Sequence, residues 1–144
     1  MKFLIVDDNA PMRELLRAIL SPYAHCDLAF DGDEAVEAFR RGLEEGEPYD
    51  FVCLDVMMPN LDGFQALDAI RQLEEQNGRC ASQGAKVLVM AATPAPEHNA
   101  RVFRPGCESY CTKPITPKKL LRHVRELLGQ LSELPASSGE TSPA

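Results

Sequence analysis

Asp7, Asp8, Asp55 and Lys113 sit where they could do charge chemistry together. Asp7 and Asp8 follow the apolar run Lys2–Val6, Asp55 follows Phe51–Leu54, and Lys113 closes the run Glu108–Thr112. Brought to one place, three carboxylates cannot all stay ionised comfortably without a cation. Oxygen donors of this kind suit Mg2+, which keeps several of its waters. One lysine neutralises part of the charge, and its ammonium can also meet an incoming phosphate as a point charge. A carboxylate can be a covalent nucleophile and take a phosphoryl group as an acyl phosphate. Such a transfer asks a protein mainly for positioning and charge stabilisation. Taken singly, each Asp has an ordinary reading as a turn or cap residue. Acids after two apolar runs and a Lys-Pro after a third weigh against that reading.

The elements that must position these residues alternate. Lys2–Val6, His25–Phe30, Phe51–Leu54, Val87–Met90 and Glu108–Thr112 read as strands. Between them, amphipathic stretches read as helices. Pro11 opens the first, with Met12, Leu15, Leu16, Ile19 and Leu20 at helical spacing. Asp33–Leu43 is the second, and Phe64 to about Glu75 the third. A short helix follows the Thr93-Pro94-Ala95-Pro96 run, and Thr116 caps a last one from Pro117 to about Leu131. In that last helix Lys118, Lys119, Arg122 and Arg125 are expected to face outward. Gln76–Ala85 reads as a solvated loop. Five β–α units imply a parallel sheet covered on both faces. In such sheets ligands collect at the carboxyl ends of the strands, where the acids and the lysine fall.

Composition bounds the rest. The 144 residues suit one domain, read as residues 1–131, with a Ser/Pro-rich disordered tail over 132–144. The net charge of -7 argues against direct binding to nucleic acid. No apolar run is long enough to span a membrane. Five cysteines, an odd number with no CxxC pair, read as reduced thiols of a cytoplasmic protein.

The segments Lys2–Leu20 (KFLIVDDNAPMRELLRAIL), Asp55–Gly63 (DVMMPNLDG) and Tyr110–Pro114 (YCTKP) resemble the signatures of the response-regulator receiver domain of two-component systems. The resemblance covers most of the chain. It implies an α/β flavodoxin-like, doubly wound parallel sheet of five strands, order 2-1-3-4-5, with five helices. It implies that Asp55 accepts phosphate from a histidine kinase or a phosphorelay histidine. Mg2+ would be held by Asp8, Asp55 and the backbone carbonyl of Met57, with Asp7 acting through water. Lys113 would pair with Asp55 and then with the phosphoryl oxygens, and Lys113-Pro114 would be a cis peptide. Tyr110 matches the family's switch aromatic. On this resemblance the chain is a phosphoacceptor rather than an enzyme with turnover. It signals through an unidentified downstream protein, with a homodimer among the arrangements receivers adopt.

The sequence departs from the family after its fourth strand. Ala91 falls where receivers place a Thr or Ser, and Ala92 matches the Ala that follows. Thr93 lies two residues on, on the same face of an extended strand, and is the candidate replacement hydroxyl. Two readings follow: a stand-alone regulator phosphorylated on Asp55, and a degenerate receiver that binds proteins without a phosphorylation-driven switch. Met57 is a second departure. It stands where polar residues of the family assist the hydrolytic water, so slow loss of phosphate is expected. An aspartyl-phosphate hydrolase would want an acid at Met57, and a flavin site would not carry Asp7 and Asp8 in its phosphate loop.

Overall fold

The unbroken apolar runs of the chain become strands, and the stretches with a period of 3.6 become helices. The computed structural model describes residues 1–55, 63–79, 84–91 and 109–129. In chain order they form β1 (Lys2–Val6), α1 (Ala10–Leu20), β2 (His25–Ala29), α2 (Gly32–Glu44), β3 (Phe51–Asp55), α3 (Gly63–Gln76), β4 (Lys86–Ala91), β5 (Ser109–Thr112) and α4 (Pro117–Leu128). Every strand pairing is parallel, and the sheet order is β2-β1-β3-β4-β5. This is the expected order. The short helix expected between β4 and β5, and the expected tail over 132–144, lie outside the described residues.

Side chains alternate across each strand and divide the core in two. Leu4, Val6, Val52, Leu54, Val87 and Val89 pack under α2 and α3, against Phe39, Leu67 and Ile70. Phe3, Ile5, Phe51, Cys53, Leu88 and Met90 pack under α1 and α4, against Leu16, Leu20, Leu120 and Val124. Both faces of β1, β3 and β4 are thus covered, which is why these strands read as unbroken apolar runs.

Caps fix where the helices begin. The Asn9 side chain accepts from the Met12 N–H at 2.9 Å, and Pro11 follows inside the first turn. Asp31 accepts from Glu34 N–H at 2.8 Å, and Thr116 from Lys119 N–H at 3.2 Å. Each cap fills one of the donors a helix start leaves unpaired.

Two expectations are corrected, and one apolar residue of α1 lies off the stripe that faces the core. Leu15 is 41% exposed. The buried stripe of α1 runs through Leu16, Ile19 and Leu20 with Met12 beside it, and Leu15 lies off its margin. Lys119 does not face outward: its ammonium donates to the Thr112 carbonyl at 2.9 Å. The Gln76–Ala85 stretch is not solvated throughout, because Ala85 is buried at the entry to β4. Of the cysteines, Cys26, Cys53 and Cys111 are free thiols, while Cys80 and Cys107 lie outside the described residues.

Candidate functional site

Parallel strands with aligned registers end at one edge. Val6 of β1 pairs with both Ala29 of β2 and Leu54 of β3, so Asp7 and Asp55 arrive side by side. Asp55 pairs with Met90 of β4, and Ala91 with Thr112 of β5, which puts Lys113 at the same edge. The Lys113 N–H donates to the Ala91 carbonyl at 2.8 Å and fixes the start of the turn after β5. The Lys113-Pro114 peptide is cis, as expected.

The side chains converge. Lys113 Nζ lies 3.2 Å from Asp7 Oδ2 and 3.3 Å from Asp55 Oδ2. Asp7 is fully buried and Asp55 is 2% exposed, whereas Asp8 is exposed. Carboxylate oxygens of all three aspartates lie within 4.8 Å of one another. Burial would draw the Lys113 ammonium down, but the charges and hydrogen bonds of Asp55 and Asp7 outweigh it and hold Lys113 above its usual range. The lysine is therefore a fixed positive charge at neutral pH, not a general base.

Both oxygens of Asp7 are engaged. Oδ2 meets Lys113, and Oδ1 accepts from the Asn9 N–H at 2.9 Å. Each oxygen of Asp7 thus answers one donor and keeps a further lone pair for a water or a cation. Among the described residues the donor set is oxygen alone, and it fits a hard divalent cation such as Mg2+ rather than zinc. Cys53, two residues before Asp55, contributes no thiolate, because burial pushes its thiol well up.

Asp7, Asp8, Asp55 and Lys113 are thus brought together as the sequence predicts. Met57 and Thr93 lie outside the described residues. Tyr110 lies in β5 opposite Val89. Ala91 is the last residue of β4 and is buried, so the edge beside Asp55 carries no hydroxyl at that position. Sequence reasoning missed Asn9 and Arg13. Asn9 two residues before a Pro is a helix-start signal. Nothing in the sequence announces that Arg13 Nη1 donates to the Asp7 carbonyl at 2.7 Å.

A five-stranded parallel sheet thus carries an acidic pocket and a lysine at its carboxyl edge. The sequence profile of the response regulator receiver domain matches residues 3–125. The chain belongs to the response regulator receiver family. It is 32% identical over 133 residues to the transcriptional regulatory protein ResD of Bacillus subtilis (strain 168), covering 92% of this chain and 50% of ResD. It is 35% identical over 144 residues to the response regulator MprA of Mycobacterium sp. (strain KMS), covering 99% of this chain and 56% of MprA. The chain thus spans about half the length of these curated relatives. Among solved structures, it resembles a chain of the co-crystal of the Saccharomyces cerevisiae phosphotransfer protein Ypd1 with the receiver domain of Ssk1. The TM-score there is 0.76 at 27% identity, with 88% of each chain covered. The CheX–CheY–BeF3–Mg2+ complex of Borrelia burgdorferi gives 0.75 at 25% identity, with 89% of each chain covered.

Proposed function

We propose that Asp55 is the phosphoacceptor of this chain and that a phosphohistidine of a kinase or phosphotransfer protein is its donor. The observation that carries the reading is the Lys113 ammonium seated between Asp7 and Asp55, with Asp8 completing the carboxylate cluster. A carboxylate oxygen of Asp55 attacks phosphorus, the P–N bond to the donor imidazole breaks, and the phosphoryl group becomes a mixed anhydride on Asp55. Lys113 supplies positive charge beside the phosphoryl oxygens as the charge of the transition state spreads over them. Asp8 and Asp55 would hold Mg2+ directly, with the Met57 carbonyl, while Asp7 would orient a bound water. When bound, the cation offsets repulsion between carboxylates and phosphoryl group. Similarity to the Ypd1–Ssk1 and CheX–CheY–BeF3–Mg2+ assemblies supports both the donor class and the metal.

The phosphorylated domain then signals through a partner protein, and Thr93 and Tyr110 are the residues proposed to report the phosphoryl group. The free thiols suit a reducing cytoplasm, and among the described residues no helix is long and apolar enough to cross a membrane. Incubation with acetyl phosphate and Mg2+, read by intact mass, tests the reading. The wild type should gain one phosphoryl group, and no gain is expected when the metal is chelated beforehand or in Asp55→Ala. A gain that persists in Asp55→Ala would overturn the assignment.

A further inference from the structure

The three carboxylates are not held alike. Asp7 is fixed by Asn9 and Lys113, and Asp55 by Lys113. Among the described residues, no donor meets the Asp8 side chain, which is exposed. Its backbone therefore sets where the side chain starts. The Asp7–Asp8 peptide is a rigid plane, and its oxygen, the Asp7 carbonyl, accepts from Arg13 Nη1 at 2.7 Å. The other side of Asp7 is anchored too, since its N–H donates to the Ala29 carbonyl at 3.1 Å. Arg13 is half-buried, and its own N–H donates to the Asn9 carbonyl at 3.0 Å, so the guanidinium springs from the first bonded turn of α1.

We propose that Arg13 is a positioning residue for the divalent cation: by holding the Asp7 carbonyl it sets the peptide plane from which Asp8 reaches the metal. This rests on the phosphoacceptor reading above. Two roles for the guanidinium have opposite signs. As a mere positive charge near a cation site it repels the cation, and its removal tightens binding. As the clamp on a ligand's backbone it organises the site, and its removal loosens binding.

Calorimetric titration with Mg2+ separates them. Arg13→Met should weaken Mg2+ binding by about tenfold, the low end for groups that orient metal ligands, although it removes a positive charge. Arg13→Lys keeps the charge without the planar fork and should fall between Arg13→Met and the wild type. In an Asp8→Asn background, Arg13→Met should add no further loss, because it acts through Asp8. With acetyl phosphate, the Mg2+ concentration at half-maximal rate should rise in step while the plateau rate holds. Unchanged or tighter Mg2+ binding in Arg13→Met would overturn the inference, as would a full further loss in the Asp8→Asn background. If Arg13→Met does not fold, Arg13→Lys decides: weaker binding supports the clamp, and wild-type binding refutes it. A wild type that takes up no Mg2+ but is phosphorylated on Asp55 sinks the metal site alone. One that does neither sinks the proposed function as well.

Discussion

A buried carboxylate is tolerable only while something answers its charge, and Lys113 answers two. Asp7 is fully buried and shares the ammonium with Asp55. Lys113→Met would leave both acids facing each other with their cation gone. The lysine reaches solvent along part of its length, so the cost falls short of that for a fully buried pair, at about 2 kcal/mol. Mg2+ neutralises the same oxygens and should restore part of the loss; urea denaturation with and without the metal measures both effects. Tyr49 makes a different wager. Its hydroxyl donates to Asp27 Oδ2 at 2.5 Å, its ring stacks on Phe39, and the Lys2 ammonium lies 4.6 Å from its centroid. Burial, then the hydrogen bond and charge of Asp27, push this phenol well above its ordinary value. The unfolded chain therefore loses the phenolic proton first as pH rises past about 10, and stability falls from there upward. Tyr49→Phe should cost about 1 kcal/mol at neutral pH and show a shallower decline above about pH 10. An equally steep decline in the variant would place the alkaline loss elsewhere.

At the scale of elements, what was legible in the sequence and what was not divide by physical cause. Strands β1, β3 and β4 were legible because both faces are buried and each is an apolar run with a charged residue only at one end. The site acids were legible because each follows such a run directly, and parallel strands must end together. The Thr116-Pro117 start of α4 was legible because cap and proline are local chemistry. The junction between α3 and β4 was not. Glu74 reads there as one more charge on a helix surface, yet it is 3% exposed. It pairs with Arg71 Nη1 at 2.7 Å and accepts from the Ala85 N–H at 2.7 Å, while Arg71 donates to the Ala85 carbonyl at 2.8 Å. Such a clamp depends on contacts eleven and fourteen residues apart, which no periodicity encodes. Gly84 is part of it, because a Cβ there would stand 2.5 Å from Glu74 Oε1. Gly84→Ala must push the carboxylate off its partners and should destabilise by about 1–3 kcal/mol. Glu74→Ala, which strands the Ala85 N–H, should cost a comparable amount, about 1–3 kcal/mol. Because both act on one clamp, Gly84→Ala should cost little more once Glu74 is alanine; a double-mutant cycle in urea measures this, and simple additivity would show that Gly84 acts elsewhere.

The whole molecule concentrates charge at one edge of its sheet, and that edge exists only in the folded chain. Asp7 and Asp8 are separated from Asp55 by nearly fifty residues and from Lys113 by more than a hundred, so the unfolded chain has no equivalent cluster. A cation that fits the cluster therefore binds the native state and not the unfolded one. Its stabilisation follows from mass action, about 2.7 kcal/mol at a hundred times the dissociation constant. For a domain of this size that corresponds to a rise in Tm of about 8 °C. The rise should depend on Mg2+ concentration and not be reproduced by Na+ at equal ionic strength, since a monovalent ion offsets less of the carboxylate charge. Asp8→Asn removes a proposed ligand while leaving the Lys113 pairs intact, so it should melt near the wild-type temperature without metal and gain little with it. Thermal melts of both proteins across a Mg2+ series would decide the matter. Equal shifts in the two would mean that the metal acts on the charge of the chain as a whole and not on this edge.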